Sequence, residues 1–222
     1  MSNPIPTTPP PRDPDRTIEF FWDPVCPFAW LASRWIEEVR AETGLTVDWR
    51  FISLRLINKD KDYPTHFPAL DPVVTAYGES YFDKPRGSGM RDRLSTPDHL
   101  VEVLTTAGID LDFASAADDT AWDEMIDAEG EMALSRTGRD VGTPIISFGE
   151  DGLSFFGPVI SRIPRGSDAV KLWESVNTLA AFPGFAEMKR SLRETPQLNI
   201  LGGLVEQPVE EDWEAGHRRM ND

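Results

Sequence analysis

The sequence predicts an α/β fold in which a helical segment interrupts a small sheet. Three observations predict it: a strand–helix–strand unit over residues 17–54, helical apolar spacing over 55–139, and a hairpin pattern followed by a helix over 140–195. The 222 residues are enough for one such core with an inserted subdomain. A proline-rich leader at 1–16 is expected to be disordered, and an acidic tail is expected at 196–222.

The first unit is predicted to be two parallel strands joined by a helix. Ile18–Trp22 is rich in β-branched and aromatic residues, which favours a strand. From Phe28 onward the apolar spacing is helical, and Gly44 is a suitable C-terminal stop. Leu45–Leu54 then alternates apolar and polar residues, so a second strand is expected, with a right-handed crossover between the two.

The insertion is predicted to be helical. Helices are expected to begin at Asp71 and at Ser95, and the second should stop at Gly108. A short helical turn is expected at Leu111–Ala117, and a longer helix at Thr120–Arg136.

The last part of the core is predicted to be a β-hairpin followed by helices. Thr143-Pro144 precedes the apolar strand Ile145–Phe148, and Leu153–Gly157 is the expected returning strand. A proline at this place is also a candidate for a cis peptide bond. Closing helices are expected at Asp168–Ala181 and Gly184–Leu192.

Cys26, the only cysteine of the chain, lies where the first strand gives way to the first helix. Pro27 suits the first turn of a helix, so the sulfur is expected at the helix N-terminus. Free N–H groups and the helix dipole favour a thiolate there, which predicts a lowered pKa and a nucleophile. The alternative is an inert buried cysteine, which is the usual state of a lone cysteine.

Four blocks of sequence in this order resemble the thioredoxin superfamily, more narrowly its DsbA-like branch with a helical insertion. They are Phe21-Trp22-Asp23-Pro24-Val25-Cys26-Pro27-Phe28, Ser33-Arg34-Trp35-Ile36, Asp140-Val141-Gly142-Thr143-Pro144, and Phe155–Gly166 followed by Lys171-Leu172-Trp173. The chain is most similar to the mycothiol-dependent nitroreductase family of DsbA-like proteins. The resemblance covers most of residues 17–197.

The resemblance implies a groove in which Pro144 faces the thiol of Cys26, and a low-molecular-weight thiol such as mycothiol as the cofactor. The backbone of Thr143 would bind the incoming thiol as a short strand does. The implied cofactor contacts are Thr143, Pro144, Pro27, Phe28 and Arg162, and the implied substrate contacts are Trp22, Asp23, Pro24 and Ala29. The substrate would be a small electrophile or disulfide.

One departure from the family limits the chemistry. Members that form an internal disulfide have Cys-Pro-x-Cys, whereas Ala29 occupies the second position here, so this chain cannot form one. Thiol exchange with an external thiol remains open, because it needs one attacking thiolate. Two alternatives also remain: a kappa-type thiol transferase or isomerase in which Cys26 only orients a cofactor thiol, and a non-catalytic thioredoxin-like binding module.

Several flanking side chains have two interpretations. Arg162 and Arg165 would bind a carboxylate of a thiol cofactor or form surface ion pairs. Asp23 would raise the pKa of a nearby thiol or cap the following helix. Aromatic residues here are more often core than cofactor contact, and Phe28 is expected to stay partly exposed.

Composition excludes several classes of function. A net charge of −16 argues against nucleic-acid and anionic-membrane partners. The three histidines, His66, His99 and His217, lack ligand spacing, so no metal is expected. One cysteine without a signal sequence fits a reducing cytoplasm. The sequence leaves open whether the protein forms a homodimer.

Overall fold

The structure is a computed structural model, and it describes part of the chain. The described residues are 17–24, 26–57, 100–101, 104–105, 108–149, 153–198 and 204–212. The leader at 1–16 and the helix expected from Asp71 lie outside them, and the helix expected from Ser95 lies only partly inside them.

The sheet has four strands in the order β2-β1-β3-β4. Its strands are β1 (Thr17–Trp22), β2 (Thr46–Phe51), β3 (Ile145–Phe148) and β4 (Ser154–Phe156). β1 pairs in parallel with β2 and antiparallel with β3, which pairs antiparallel with β4. The predicted parallel pair and the predicted hairpin are therefore confirmed.

The described residues include the helices α1 (Pro27–Thr43), a short α2 (Leu54–Ile57), a 3₁₀ helix (Leu111–Asp118), α3 (Ala121–Thr137) and α4 (Gly166–Ala181). α2 is not among the helices expected from the sequence, and the others follow the predicted order. Gly44 ends α1 in a left-handed conformation with φ 73°, and its N–H donates to the carbonyl of Arg40. In the described residues, no helix combines the length and the apolar character that crossing a bilayer requires.

Helices cover both faces of the sheet. Side chains of a strand alternate between faces, so Ile18 and Phe20 point towards α1 and α4 while Phe21 points towards α3. On the first face the indole N–H of Trp35 donates to the carbonyl of Ala169 at 3.0 Å, which fixes α4 against α1. The strand order and the two helical layers are those of the thioredoxin-like α/β fold, with α3 supplied by the inserted segment.

The C-terminal part differs from the prediction. Residues 185–190 form no helix, and β5 (Leu192–Glu194) pairs antiparallel with β6 (Glu210–Asp212). The helix expected at Gly184–Leu192 is wrong because its apolar residues have no core to cover: Met188 is 81% exposed and Leu192 is 50% exposed. The pairing joins a segment expected in the core to one expected in the tail.

A buried ion-pair network attaches α3 to the sheet. Glu129 of α3 accepts hydrogen bonds from Arg50 Nη1 at 3.0 Å and from the backbone N–H of Phe51 at 2.7 Å. Arg136, two turns further along α3, pairs with the buried Glu19 of β1. These contacts fix the last helix of the insertion relative to the strand that leads to Cys26.

Replacing Glu129 by Ala should destabilise the fold by about 1–3 kcal/mol, because it leaves the Phe51 N–H and Arg50 Nη1 without their acceptor. Asp48 and Glu19 still pair with Arg50 Nη2 in this variant. The urea midpoint, followed by circular dichroism at pH 7, measures this loss. Glu131→Ala is the matched control, since Glu131 lies on the same helix and its side chain is 52% exposed. Equal midpoints for the two variants would show that the network does not hold α3 in place.

Candidate active site at the Cys26 junction

Asp23 joins three loops at the carboxyl end of β1. Its carboxylate Oδ2 accepts a hydrogen bond from the backbone N–H of Leu54 at 2.7 Å. Its own N–H donates to Thr143 Oγ1 at 3.2 Å, and its carbonyl accepts from the N–H of Cys26 at 3.0 Å. The alternative in which Asp23 caps α1 is therefore wrong: its carboxylate receives the first N–H of α2. The loops after β1 and β2 and the loop before β3 meet at this residue.

Cys26 is the N-cap residue of α1, which confirms its predicted place. Its backbone is extended, with φ −85° and ψ 116°, and its carbonyl accepts the first helical hydrogen bond from the N–H of Trp30 at 2.9 Å. Pro27 occupies the first helical position. The thiol makes no capping hydrogen bond to the first turn of α1.

The protonation of Cys26 is the reverse of the sequence-based expectation. Burial raises the pKa of the Cys26 thiol to about 12. The N–H groups of Ala29 and Phe28 lower this pKa, as does the positive charge of Arg193, while the negative charge of Asp23 raises it. The prediction of a lowered pKa is wrong because desolvation outweighs the helix N-terminus. The residue as a whole nevertheless keeps an intermediate exposure.

Arg193 is a site residue that the sequence analysis missed. It lies on β5, and its guanidinium carbon is 5.9 Å from the centroid of the Phe28 ring. Phe28 itself is only 3% exposed, so the expectation that it stays partly exposed is wrong. Nothing in the run Leu192–Glu194 distinguishes Arg193 from a surface charge, because its position depends on a pairing with residues 210–212.

Most of the residues expected to contact a ligand are buried. The buried ones are Asp23, Pro27, Phe28, Ala29, Thr143 and Pro144. Trp22, Pro24 and Cys26 keep an intermediate exposure. The Thr143–Pro144 peptide bond is cis, and the register that pairs Phe21 with Ile145 brings this loop to the end of the sheet where Cys26 lies.

Arg162 forms an ion pair rather than a free anchor for a ligand. Its Nε donates to Glu194 Oε2 at 2.9 Å and its Nη2 donates to Glu194 Oε1 at 3.1 Å. Ser161 Oγ adds a third hydrogen bond to the same carboxylate at 2.6 Å. These bonds lower the pKa of Glu194. Arg165 likewise pairs with Glu38 of α1.

Two other candidate sites were compared with the Cys26 junction in the part of the chain that the structure describes. Within the described ranges, no group of His, Cys, Asp and Glu side chains could hold a metal ion. A cleft of about 580 Å³ lies at the opposite end of the sheet, between the start of β1 and the end of α4, and is lined by residues such as Thr17, Leu45, Phe148 and Ala181. The chemistry expected of a thiol therefore belongs to the junction and not to that cleft.

Comparisons with known proteins found a family model, a curated relative and a solved structure that match this chain. The model of the Rv2466c-like family, described as mycothiol-dependent nitroreductase Rv2466c, matches residues 25–82 and 87–190. The uncharacterized protein Rv2286c of Mycobacterium tuberculosis is 32% identical over 199 residues, which cover 78% of this chain and 81% of that protein. The solved structure of a 2-hydroxychromene-2-carboxylate isomerase is 16% identical with a TM-score of 0.42, over 73% of this chain and 94% of that one.

The rate of Cys26 alkylation by iodoacetamide should rise with pH by roughly tenfold per unit from pH 7 to 10 without levelling off. The reason is that a pKa of about 12 keeps the thiol protonated throughout this range, so each added unit multiplies the thiolate fraction. Intact-mass spectrometry measures the rate directly, since the chain has one cysteine. A plateau beginning below pH 8.5 would contradict the raised pKa.

Asp23→Asn should speed this alkylation by roughly three- to tenfold at pH 8, because the amide lacks the charge that raises the pKa of Cys26. The amide oxygen can still accept the hydrogen bond from Leu54 N–H, so the loops stay joined. Asp168→Asn, on the exposed surface of α4, is the matched control for the change in net charge. Equal rates in the two variants would show that Asp23 does not act on the thiol.

Proposed function

The chain belongs to the Rv2466c-like family, and we propose that it is a thiol-dependent oxidoreductase or transferase working with a low-molecular-weight thiol, which the family description makes mycothiol. The observation that carries the proposal is the position of Cys26, the only thiol, as the N-cap of a helix with two amide groups and a guanidinium acting on its sulfur. Such a sulfur can form a mixed disulfide with a thiol partner and be released from it by a second thiol. It cannot form an internal disulfide, because the chain has no second cysteine.

The proposed cycle needs one protein thiol. The Cys26 thiolate attacks a bound disulfide X–S–S–R at the sulfur of R, where R–SH is the low-molecular-weight thiol. The S–S bond breaks, X–S⁻ leaves and takes a proton, and Cys26–S–S–R forms. A second R–S⁻ attacks the R sulfur, which releases R–S–S–R and restores the Cys26 thiolate. The sum is X–S–S–R + R–SH → X–SH + R–S–S–R, with Cys26 unchanged.

The exposed side of the junction gives the ligand its approach. Trp22 and Pro24 keep intermediate exposure beside Cys26, so we assign them to the substrate side. The indole N–H of Trp22 is buried and has no hydrogen-bond acceptor within the described part of the chain, so the substrate side is assigned to the exposed part of the ring and not to this N–H. Thr143 and Pro144 are buried, so they would form a wall of the site instead of an open edge for a strand.

The other residues that the resemblance implies as ligand contacts include three in the first turn of α1. Pro27, Phe28 and Ala29 form the first turn of α1 and are buried, so they would act through their backbone and through packing. Arg162 is removed from the proposed cofactor contacts because Glu194 takes up its guanidinium. A cycle that consumes a thiol pool requires a reducing compartment, so we propose that the reaction takes place in the cytoplasm.

A second candidate is a kappa-type transferase or isomerase in which Cys26 orients a cofactor thiol. The raised pKa favours it, because a thiol that stays protonated can donate its S–H to the thiolate of a bound cofactor. In that case the protein sulfur forms no covalent bond during turnover.

Cys26→Ser separates the two candidates. If Cys26 is the nucleophile, the variant should lose mycothiol-dependent reduction of a small mixed disulfide by on the order of a hundredfold or more, and only the wild type should gain the mass of one mycothiol. The turnover rate of each variant is compared with that of the wild type. Cys26→Ala is the control, because it removes both the thiol nucleophile and the S–H donor.

Other results contradict the covalent proposal. A serine variant that keeps most of the activity while the alanine variant loses it would establish the orienting role, since a hydroxyl replaces the S–H donor. If the wild type shows neither turnover nor a mixed disulfide, both catalytic proposals fail. The protein would then be a non-catalytic binding module of thioredoxin-like fold.

A further inference from the structure

We propose that Arg193 is a positioning residue that makes the Cys26 thiol responsive to anions, and that the hairpin of β5 and β6 sets this response by holding Arg193 at the site. The inference rests on the proposed function of Cys26 and adds a residue to that site. Arg193 lies beyond residue 190, where the match to the family model ends.

Arg193 reaches the first turn of α1 from outside the sheet. Its guanidinium carbon lies 5.9 Å from the ring centroid of Phe28, two residues after Cys26, a distance at which a cation is attracted to an aromatic face. The side chain is half-buried, so its charge is less screened than that of a surface arginine. The pKa shifts of Arg193 and Cys26 agree with this placement. Burial lowers the pKa of Arg193, and a negative charge on the Cys26 sulfur opposes that shift.

The neighbouring residue explains why Arg193 points at the site. Successive side chains of a strand point to opposite sides, so fixing Glu194 on one side directs Arg193 to the other. Glu194 is fixed by the two-bond pair with Arg162 and by Ser161. The backbone N–H of Gln197 also donates to the carbonyl of Ser161 at 2.8 Å.

β6 completes the support. Leu192 pairs with Asp212 and Glu194 pairs with Glu210, and the N–H of Thr195 donates to the carbonyl of Val209 at 2.9 Å. Arg193 is therefore held from both ends of a three-residue strand. The charge next to the Cys26 thiol therefore depends on the pairing of residues 192–194 with residues 210–212, both far from Cys26 in sequence.

The local cation matters because the protein as a whole repels anions. A net charge of −16 disfavours the approach of any negatively charged reactant, including a cofactor thiolate. Near Cys26, Asp23 adds to that repulsion while Arg193 opposes it. Removing Arg193 should thus penalise anionic reactants more than neutral ones at the same sulfur.

The ratio of Cys26 alkylation rates with iodoacetate and with iodoacetamide tests the inference at pH 8. The first reagent is an anion and the second is neutral, so the ratio reports the local charge and is insensitive to changes in access. Arg193→Met keeps an unbranched stem of similar length and should lower the ratio by roughly three- to tenfold. Arg193→Lys keeps the charge and should retain most of it.

Two further variants isolate the cause. Arg40→Met makes the same change in net charge at the last turn of α1, about 20 Å along the helix from Cys26, and should leave the ratio at the wild-type value. Glu194→Ala keeps Arg193 but removes the carboxylate that Arg162 and Ser161 hold in place. The ratio should then fall, but by less than in Arg193→Met.

The possible results separate clearly. Equal ratios in Arg193→Met and Arg40→Met overturn the inference. A rise of both alkylation rates in Arg193→Met at an unchanged ratio also overturns it, because Arg193 would then only block access to the sulfur. A wild-type ratio in Glu194→Ala overturns the role of the hairpin. A wild type that shows the Arg193-dependent ratio but forms no mixed disulfide with mycothiol supports the inference and fails the proposed function.

Discussion

The buried carboxylate of Asp23 is the constraint on which the site depends. A carboxylate that is 5% exposed is stable only with hydrogen-bond donors around it, and the chain supplies the N–H of Leu54. The backbone of the same residue binds Thr143 and Cys26, so one residue fixes the relative positions of three loops. Its charge also opposes ionisation of the thiol that it positions. Asp23 therefore positions Cys26 and also adds to the high pKa of its thiol, which is caused mainly by burial.

A protonated thiol is consistent with a protein that has a single cysteine. A thiolate that is always exposed can be oxidised to a sulfenic acid, and Ala29 leaves no second thiol in this chain to reduce it. Burial keeps the sulfur protonated, whereas the N–H groups of Phe28 and Ala29 stay directed at it. The site thus stabilises negative charge on the sulfur only weakly before a partner binds, and excluding water on binding would strengthen those same interactions.

The core and the position of the cysteine could be predicted from sequence because they depend on local patterns. The boundaries of α1 follow from Pro27 and Gly44, and the hairpin after Pro144 follows from short apolar runs. The sign of the Cys26 pKa shift could not, since it depends on how much of the fold surrounds the sulfur. The strand Leu192–Glu194 could not be predicted either. The apolar spacing of Gly184–Leu192 suits a helix, and only pairing with Glu210–Asp212 makes the end of this segment a strand.

The charges at the site come from two parts of the chain, one inside the sheet layer and one outside it. Asp23 and Cys26 lie in the β1–α1 junction, where any change also disturbs the sheet. Arg193 lies on a two-stranded hairpin outside the sheet, which can change its length or sequence without altering the core. Because the thiol responds to both charges, its reactivity can be adjusted through the hairpin while the junction stays intact. A protein with the same core and another C-terminal segment would then carry the same cysteine with a different preference for anionic partners.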